Sequence, residues 1–288
     1  MVTTPPPIIA LGPNQRVVIV ADATGAVGRA TALLLGHRGL AVLACGPAGP
    51  ALSNLARETA AGGHIEILAA TTATAADCDA IFARAIALFG RVDALVTLAN
   101  TLHFEPVELI SEETADAQMA LNFGGPFRLI RSATRRFRQQ RSGRVLCITH
   151  VAGRVALPMS ALTSASQHAL VALCEALRIE MRGFGVDVSI IETGVVKSGD
   201  DPDDPNVIER ALGRMPPDFP YLDIARSIAA FGQTLLNTAA TPHDVATTVL
   251  KALTAERAKR RYRVGPRTNA RRLSRRLNRK DKPAKKRR

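Results

Sequence analysis

A chain of 288 residues with 47% apolar and 22% charged side chains has the composition of a folded domain, long enough to bury a core. No apolar run approaches the roughly 20 residues of a membrane-spanning helix. The opening Met1–Pro13, with three consecutive prolines and no basic segment, is not expected to act as a secretion signal. Cys45, Cys78, Cys147 and Cys174 lie far apart without CxxC spacing, which argues against a zinc site or disulfide framework and for a reduced, cytoplasmic setting.

The formal charge of +13 is unevenly distributed. Residues 256–288 carry 17 Lys or Arg against Glu256 and Asp281, leaving 21 basic and 23 acidic side chains in the first 255 residues. A near-neutral body is thus followed by a basic arm. Such an arm attracts polyanions without sequence specificity, so an anionic membrane surface, nucleic acid and an acidic protein are all candidate partners. Leu273 and Leu277, four apart among arginines, allow a short amphipathic helix on anionic lipid. Tyr262 is the arm's one aromatic residue, which disfavours stacking on single-stranded bases.

The elements predicted in chain order alternate. Strands are expected at Val17–Ala21, Ala41–Cys45, Ile65–Leu68, Asp93–Leu98, Val145–Thr149 and Val186–Ile191. Between the first four lie helices from Ala26 to Gly36, Ala51 to Ala61 and Ala75 to Phe89. Long helices at about 113–140 and 163–182 precede the last two strands, and a short final strand is expected near 261–265. This alternation predicts an α/β doubly wound parallel sheet, the Rossmann arrangement, with ligand contacts beyond the carboxyl ends of the strands. The expected layout is a flexible Pro-rich leader over 1–13, one domain over 14–255 and a basic tail over 256–288.

Several motifs go beyond topology. Phe89-Gly90-Arg91-Val92-Asp93-Ala94-Leu95-Val96 leads into the fourth strand. Val151-Ala152-Gly153-Arg154-Val155-Ala156-Leu157-Pro158 is followed by Ser164-Ala165-Ser166, His168-Ala169-Leu170 and Glu175-Ala176-Leu177-Arg178. Glu192-Thr193-Gly194 closes the series. From about Gln15 to Gly265 the chain resembles the short-chain dehydrogenase/reductase family, whose members interconvert carbonyls and alcohols with a nicotinamide cofactor.

The resemblance implies an active site of asparagine, serine, tyrosine and lysine. Here those positions carry Asn122, His150, Thr163 and Gln167, with the family spacing intact and three residues changed. A threonine hydroxyl is far too weak an acid to replace tyrosine, and uncharged Gln167 does not lower its pKa. Loss of a positioned acid costs about 10²–10⁴ in rate.

The glycine signature TGxxxGxG falls on Ala21-Asp22-Ala23-Thr24-Gly25-Ala26-Val27-Gly28 and keeps only Gly28; the register TGxxGxxG keeps Gly25 and Gly28. Asp22 adds a carboxylate where a pyrophosphate is expected. The family's NNAG becomes Thr97-Leu98-Ala99-Asn100, its adenine-side aspartate falls near Thr71, and its Pro-Gly becomes Thr193-Gly194. The second strand ends Cys45-Gly46-Pro47, without an acid for the NAD ribose or an arginine for a 2′-phosphate. These changes weigh against NAD(P) binding, and no metal is expected.

Four readings follow. The chain is a structural or regulatory subunit that has lost hydride transfer, pairing as homo- or hetero-oligomer through the helices near 113–140 and 163–182. Alternatively, it is an enzyme with a rearranged site using His150 and His103. A third reading is an NAD(P)-dependent oxidoreductase of a hydrophobic alcohol or ketone, with Tyr221 in a lid over 197–221. The basic arm alone supports a fourth, non-specific nucleic-acid binding.

Overall fold

The computed structural model describes residues 9–12, 14–59, 64–98, 101–197 and 207–265. Most of the leader, Asn100 and the tail beyond Gly265 lie outside these residues. Seven strands form one parallel sheet in the order β3-β2-β1-β4-β5-β6-β7. They are β1 (Val17–Val20), β2 (Ala41–Gly46), β3 (Ile65–Ala69), β4 (Ala94–Leu98), β5 (Gly143–His150), β6 (Val186–Thr193) and β7 (Arg261–Val264). The helices are α1 (Ala26–His37), α2 (Pro50–Thr59), α3 (Ala75–Phe89), α4 (Glu112–Met119), α5 (Gly125–Gln140), α6 (Ala161–Glu180), α7 (Val207–Gly213), α8 (Leu222–Leu236) and α9 (Pro242–Thr254). The sheet is doubly wound, and its order reverses between β1 and β4, which opens a crevice at their carboxyl ends.

Burial on both faces explains the unbroken apolar runs. All four residues of β1 and all six of β2 are buried, as the inner strands of a parallel sheet require. One face packs Val17, Ile19, Leu43 and Leu95 against Ile81, Phe82, Leu129, Phe137 and Leu170. The other packs Val18, Val20, Val42 and Val96 against Val27, Leu35, Val245 and Val249. Within the leader expected to be flexible, Ile9 donates its N–H to the Leu88 carbonyl at 2.7 Å, and Ile9 and Leu11 pack on the first core.

The motif around Gly90 has a local structural cause. Gly90 ends α3 in a left-handed conformation, φ 76°, and its N–H caps the Ile86 carbonyl. Asp93 then accepts the Val17 N–H at 2.8 Å and pairs with Arg91, locking the entry of β4 beside β1. At the far edge, fully buried Glu192 of β6 pairs with Arg261 and Arg263 of β7 and with Arg154 after β5.

The single helix expected over 113–140 is broken. Between α4 and α5 lies a π-helical turn, Ala120–Gly124, in which the Gly125 N–H reaches back five residues to the Ala120 carbonyl. Pro126, lacking an N–H, cannot serve the Asn122 carbonyl four residues earlier, so the regular ladder fails at this point. Among the described residues no helix is long and apolar enough to cross a membrane.

Candidate functional site

The π-helical turn and α6 together create a buried polar layer beneath the crevice. On α6, Thr163, Ser166 and Gln167 stand at i, i+3 and i+4 and share one face. Gln118 and Asn122, four apart across the π turn, face them. All five side chains are buried.

Asn122 holds both backbone polar groups of Thr101. Its Oδ1 accepts the Thr101 N–H at 2.9 Å, and its Nδ2 donates to the Thr101 carbonyl at 2.8 Å. The same Nδ2 donates to Ser166 Oγ at 3.2 Å, while Gln118 Nε2 donates to the Thr101 carbonyl at 2.6 Å. Ser166 Oγ donates to the Thr163 carbonyl at 3.1 Å. The loop after β4 is therefore bolted to α6 by side chains rather than by sheet pairing.

Thr163, at the family's tyrosine position, accepts the His103 N–H at 2.9 Å. The His103 ring turns to Glu105, with Nε2 and Oε2 3.1 Å apart. Gln167, at the lysine position, accepts the His150 N–H at 3.0 Å through Oε1. His150 Nδ1 accepts the Ala152 N–H at 3.1 Å, which caps the 3₁₀ turn Val151–Gly153 and leaves the proton on Nε2. Burial pushes this imidazole down to about 4, so it is neutral at pH 7. The two histidines expected at one cleft are thus anchored one turn apart along α6, each with its ring bonded to a local partner.

What this arrangement can do chemically is limited. His150 Nε2–H can donate a hydrogen bond, but its Nδ1 lone pair is committed and the ring resists protonation. Tyr221 has a partner of its own. It bonds to Glu108, which raises its hydroxyl pKa, and it lines a cavity of about 400 Å³ with Pro106, Val107, Met159 and Ile224.

Sequence reasoning singled out Asn122, His150, Thr163 and Gln167 by register, and the structure gathers all four around α6. It missed Gln118 and Ser166, which complete the hydrogen bonds. The polar stripe Gln118/Asn122 opposite Thr163/Ser166/Gln167 was the available signal. Among the described residues no group of three or more His, Cys, Asp and Glu is placed to hold a metal ion.

A doubly wound sheet with a polar site beyond β4 and β5 defines the class as a Rossmann-type α/β protein. A short chain dehydrogenase profile matches residues 16–203, and the chain belongs to the short-chain dehydrogenase/reductase family. It is similar to an uncharacterized oxidoreductase of Thermotoga maritima, 26% identical over 192 residues, covering 64% of this chain and 72% of that protein. Human 17-beta-hydroxysteroid dehydrogenase type 1 is 31% identical over 179 residues, covering 60% of this chain and 52% of its own length. Among solved structures, a short-chain dehydrogenase from Streptomyces avermitilis superposes with a TM-score of 0.76 at 23% identity, over 93% of each chain, a likeness of fold.

Family membership implies a nicotinamide dinucleotide, and the crevice beside β1 fits one poorly. A pyrophosphate needs bare backbone and open N–H groups at a helix N-terminus. Here Asp22 stands two residues after β1, Ala26 replaces the middle glycine of one register, and Gly25 and Gly28 remain in the other. A Cβ on Gly28 would lie 2.0 Å from the Asp22 carbonyl oxygen, so that glycine packs α1 against the turn. At the end of β2, Gly46 lies under Thr24, whose methyl would be 2.7 Å from a Cβ there. Thr71 bonds to Asp77, and Thr193 bonds to the Thr149 carbonyl ahead of half-buried Gly194. Among the described residues the glycine pattern is thinned to Gly25 and Gly28, and Asp22 adds a carboxylate where the pyrophosphate would lie.

Proposed function

We propose that this chain is a family member that has lost the usual hydride transfer and serves as a structural or regulatory subunit. The observation that supports it is the commitment of the tetrad positions to internal bonds. Thr163 and Gln167 spend their polar groups on the His103 and His150 backbones, and Asn122 spends both ends of its amide on Thr101. A proton relay needs groups free to exchange with substrate and solvent, and these are buried acceptors and donors of a fixed loop.

A partner would meet the outer faces of α4, α5 and α6. Leu121 and Phe127 are 60% and 39% exposed beside the π turn, and Ile179 on α6 is 72% exposed. Phe123 and Phe127 stack with centroids 5.9 Å apart, giving that face a rigid aromatic step. Pairing with a second copy or with an active relative would bury these side chains. The basic arm would supply a separate, salt-sensitive contact to a polyanion such as an anionic membrane surface.

The runner-up is an oxidoreductase of a hydrophobic alcohol or ketone, supported by the apolar cavity beside Tyr221 and by the free donor on His150. A panel of aldehydes, ketones and secondary alcohols with NADH, NADPH and their oxidised forms separates the two. No turnover with the full chain is expected. Turnover that persists without residues 266–288 and vanishes in Asn122→Ala would overturn the subunit reading.

A further inference from the structure

The turn from β1 into α1 is held on every side except one. Ala21 donates its N–H to the Val96 carbonyl at 3.0 Å, and Ala23 donates to the Cys45 carbonyl at 2.8 Å. These bonds fasten the turn to β4 and β2. Between them Asp22 adopts φ 52°, the left-handed conformation that glycine ordinarily supplies and that aspartate tolerates better than most residues. The backbone therefore keeps the shape of a phosphate-binding turn while carrying a carboxylate.

That carboxylate curls over the start of α1. Asp22 Oδ2 lies 3.7 Å from where a Cβ on Gly25 would stand, and Gly25 is the N-cap of α1. Gly25 offers no side-chain cap, and the first turn of α1 has no acidic residue of its own. The helix thus presents uncapped N–H groups and a positive dipole end with Asp22 as the neighbouring anion. The carboxyl also bonds to Thr24, whose methyl is seated on Gly46 at the end of β2. One side of the group is open to water while protein crowds the others. Crowding raises its pKa to about 6 despite the Thr24 bond, which acts the other way.

We infer that Asp22 is a built-in anion of this crevice: it takes the α1 N-terminus that a dinucleotide pyrophosphate would need, and it is the residue that excludes NADH and NADPH. The turn is otherwise intact, since Gly28 still allows the close approach of α1 and both strapping bonds are made. Closure therefore rests on one side chain and not on collapse of the site. The inference concerns binding and is independent of the tetrad replacements, which concern turnover.

Calorimetric titration of the full-length wild type, Asp22→Asn and Asp22→Gly with NADH and with NADPH tests it. Both substitutions suit a left-handed φ, so both variants keep the turn. Titration of the wild type with inorganic pyrophosphate measures the phosphate binding contributed by the basic arm, which all three proteins share. Both variants are expected to bind NADH or NADPH at least about tenfold more tightly than wild type, because an unfavourable like-charge contact is removed. Their inorganic pyrophosphate binding should also rise above the wild-type value, because the same helix N-terminus is opened. Wild-type affinity within about threefold of Asp22→Asn, or no binding above background in any of the three, would overturn the inference. Binding without turnover in Asp22→Gly would leave the subunit reading standing, and turnover in wild type would remove that reading on separate grounds.

Discussion

Asn122 brackets the backbone of Thr101, accepting its N–H at 2.9 Å and donating to its carbonyl at 2.8 Å. Twenty-one residues of chain separate the two, and the π-helical turn places the amide where the loop after β4 crosses α6. Replacing Asn122 with alanine would leave the part-buried Thr101 N–H and the buried Ser166 contact without their partner. A loss of about 1–3 kcal/mol is expected, read as a lower urea midpoint with unchanged slope. Asn122→Asp should cost at least as much, since it forfeits both Nδ2 bonds and buries a charge.

Thr163 and the His103 backbone form a second bolt, 60 residues apart in sequence. Thr163→Val keeps the volume and removes the acceptor, so about 1–2 kcal/mol should be lost. Amide exchange over residues 101–105 should accelerate while the strands stay protected. Thr163→Tyr, which restores the family residue, inserts a ring into a filled layer and should cost about 1–3 kcal/mol by overpacking. The double variant Thr163→Tyr/Gln167→Lys is therefore expected to be less stable than wild type and still without turnover. Turnover above background would show that the layer can reopen.

Two groups make the acid side of the stability profile uneven. His150 is pushed down to about 4 from 6.5 by burial, so the folded state favours its neutral form. Its contribution is full above pH 6.5 and is lost as the pH falls through 4, a swing on the order of 3 kcal/mol. Asp22 is raised from 3.8 to about 6, so its contribution is present below 3.8 and lost as the pH rises through 6. Between pH 4 and 6.5 the two oppose each other. Urea unfolding across pH 4–8 should show a steeper acid loss in Asp22→Asn than in wild type and a flatter one in His150→Gln.

Glu192 is fully buried between Arg154 and the β7 arginines Arg261 and Arg263. Glu192→Gln removes the shared carboxylate, but Arg261 keeps Glu175, and Arg154 and Arg263 reach solvent, so a loss of about 1–3 kcal/mol is expected. The cost should concentrate at the sheet edge, where β7 is held by β6 alone in the sheet. Faster amide exchange at Arg261–Val264 than at β1 is the expected signature, and equal exchange would place the stabilisation elsewhere.

The fold was legible because its determinants are local. Val17–Val20, Ala41–Gly46 and Ala94–Leu98 are apolar runs that only a two-sided burial explains, and helices separate them. The break at Ala120–Gly124 escaped notice because it depends on a hydrogen-bond ladder shifting by one residue, although Gly124-Gly125-Pro126 marks the place. The tetrad positions were legible by register alone. Their bonding was not, since a side chain's partner across 17, 21 or 60 residues is set by how loops cross α6.

By itself the sequence determined the strand and helix order, the loss of tyrosine and lysine at Thr163 and Gln167, and the division into a neutral body and a basic arm. These follow from periodicity, residue identity and charge, which need no third dimension. The tertiary structure alone decided what the replaced residues do. It turned Thr163, Gln167 and Asn122 inward onto backbone groups, because a buried N–H or carbonyl must find a partner and these side chains were the ones in reach. It also decided the direction of Asp22, since only the strapped turn between β2 and β4 brings that carboxylate over the α1 N-terminus.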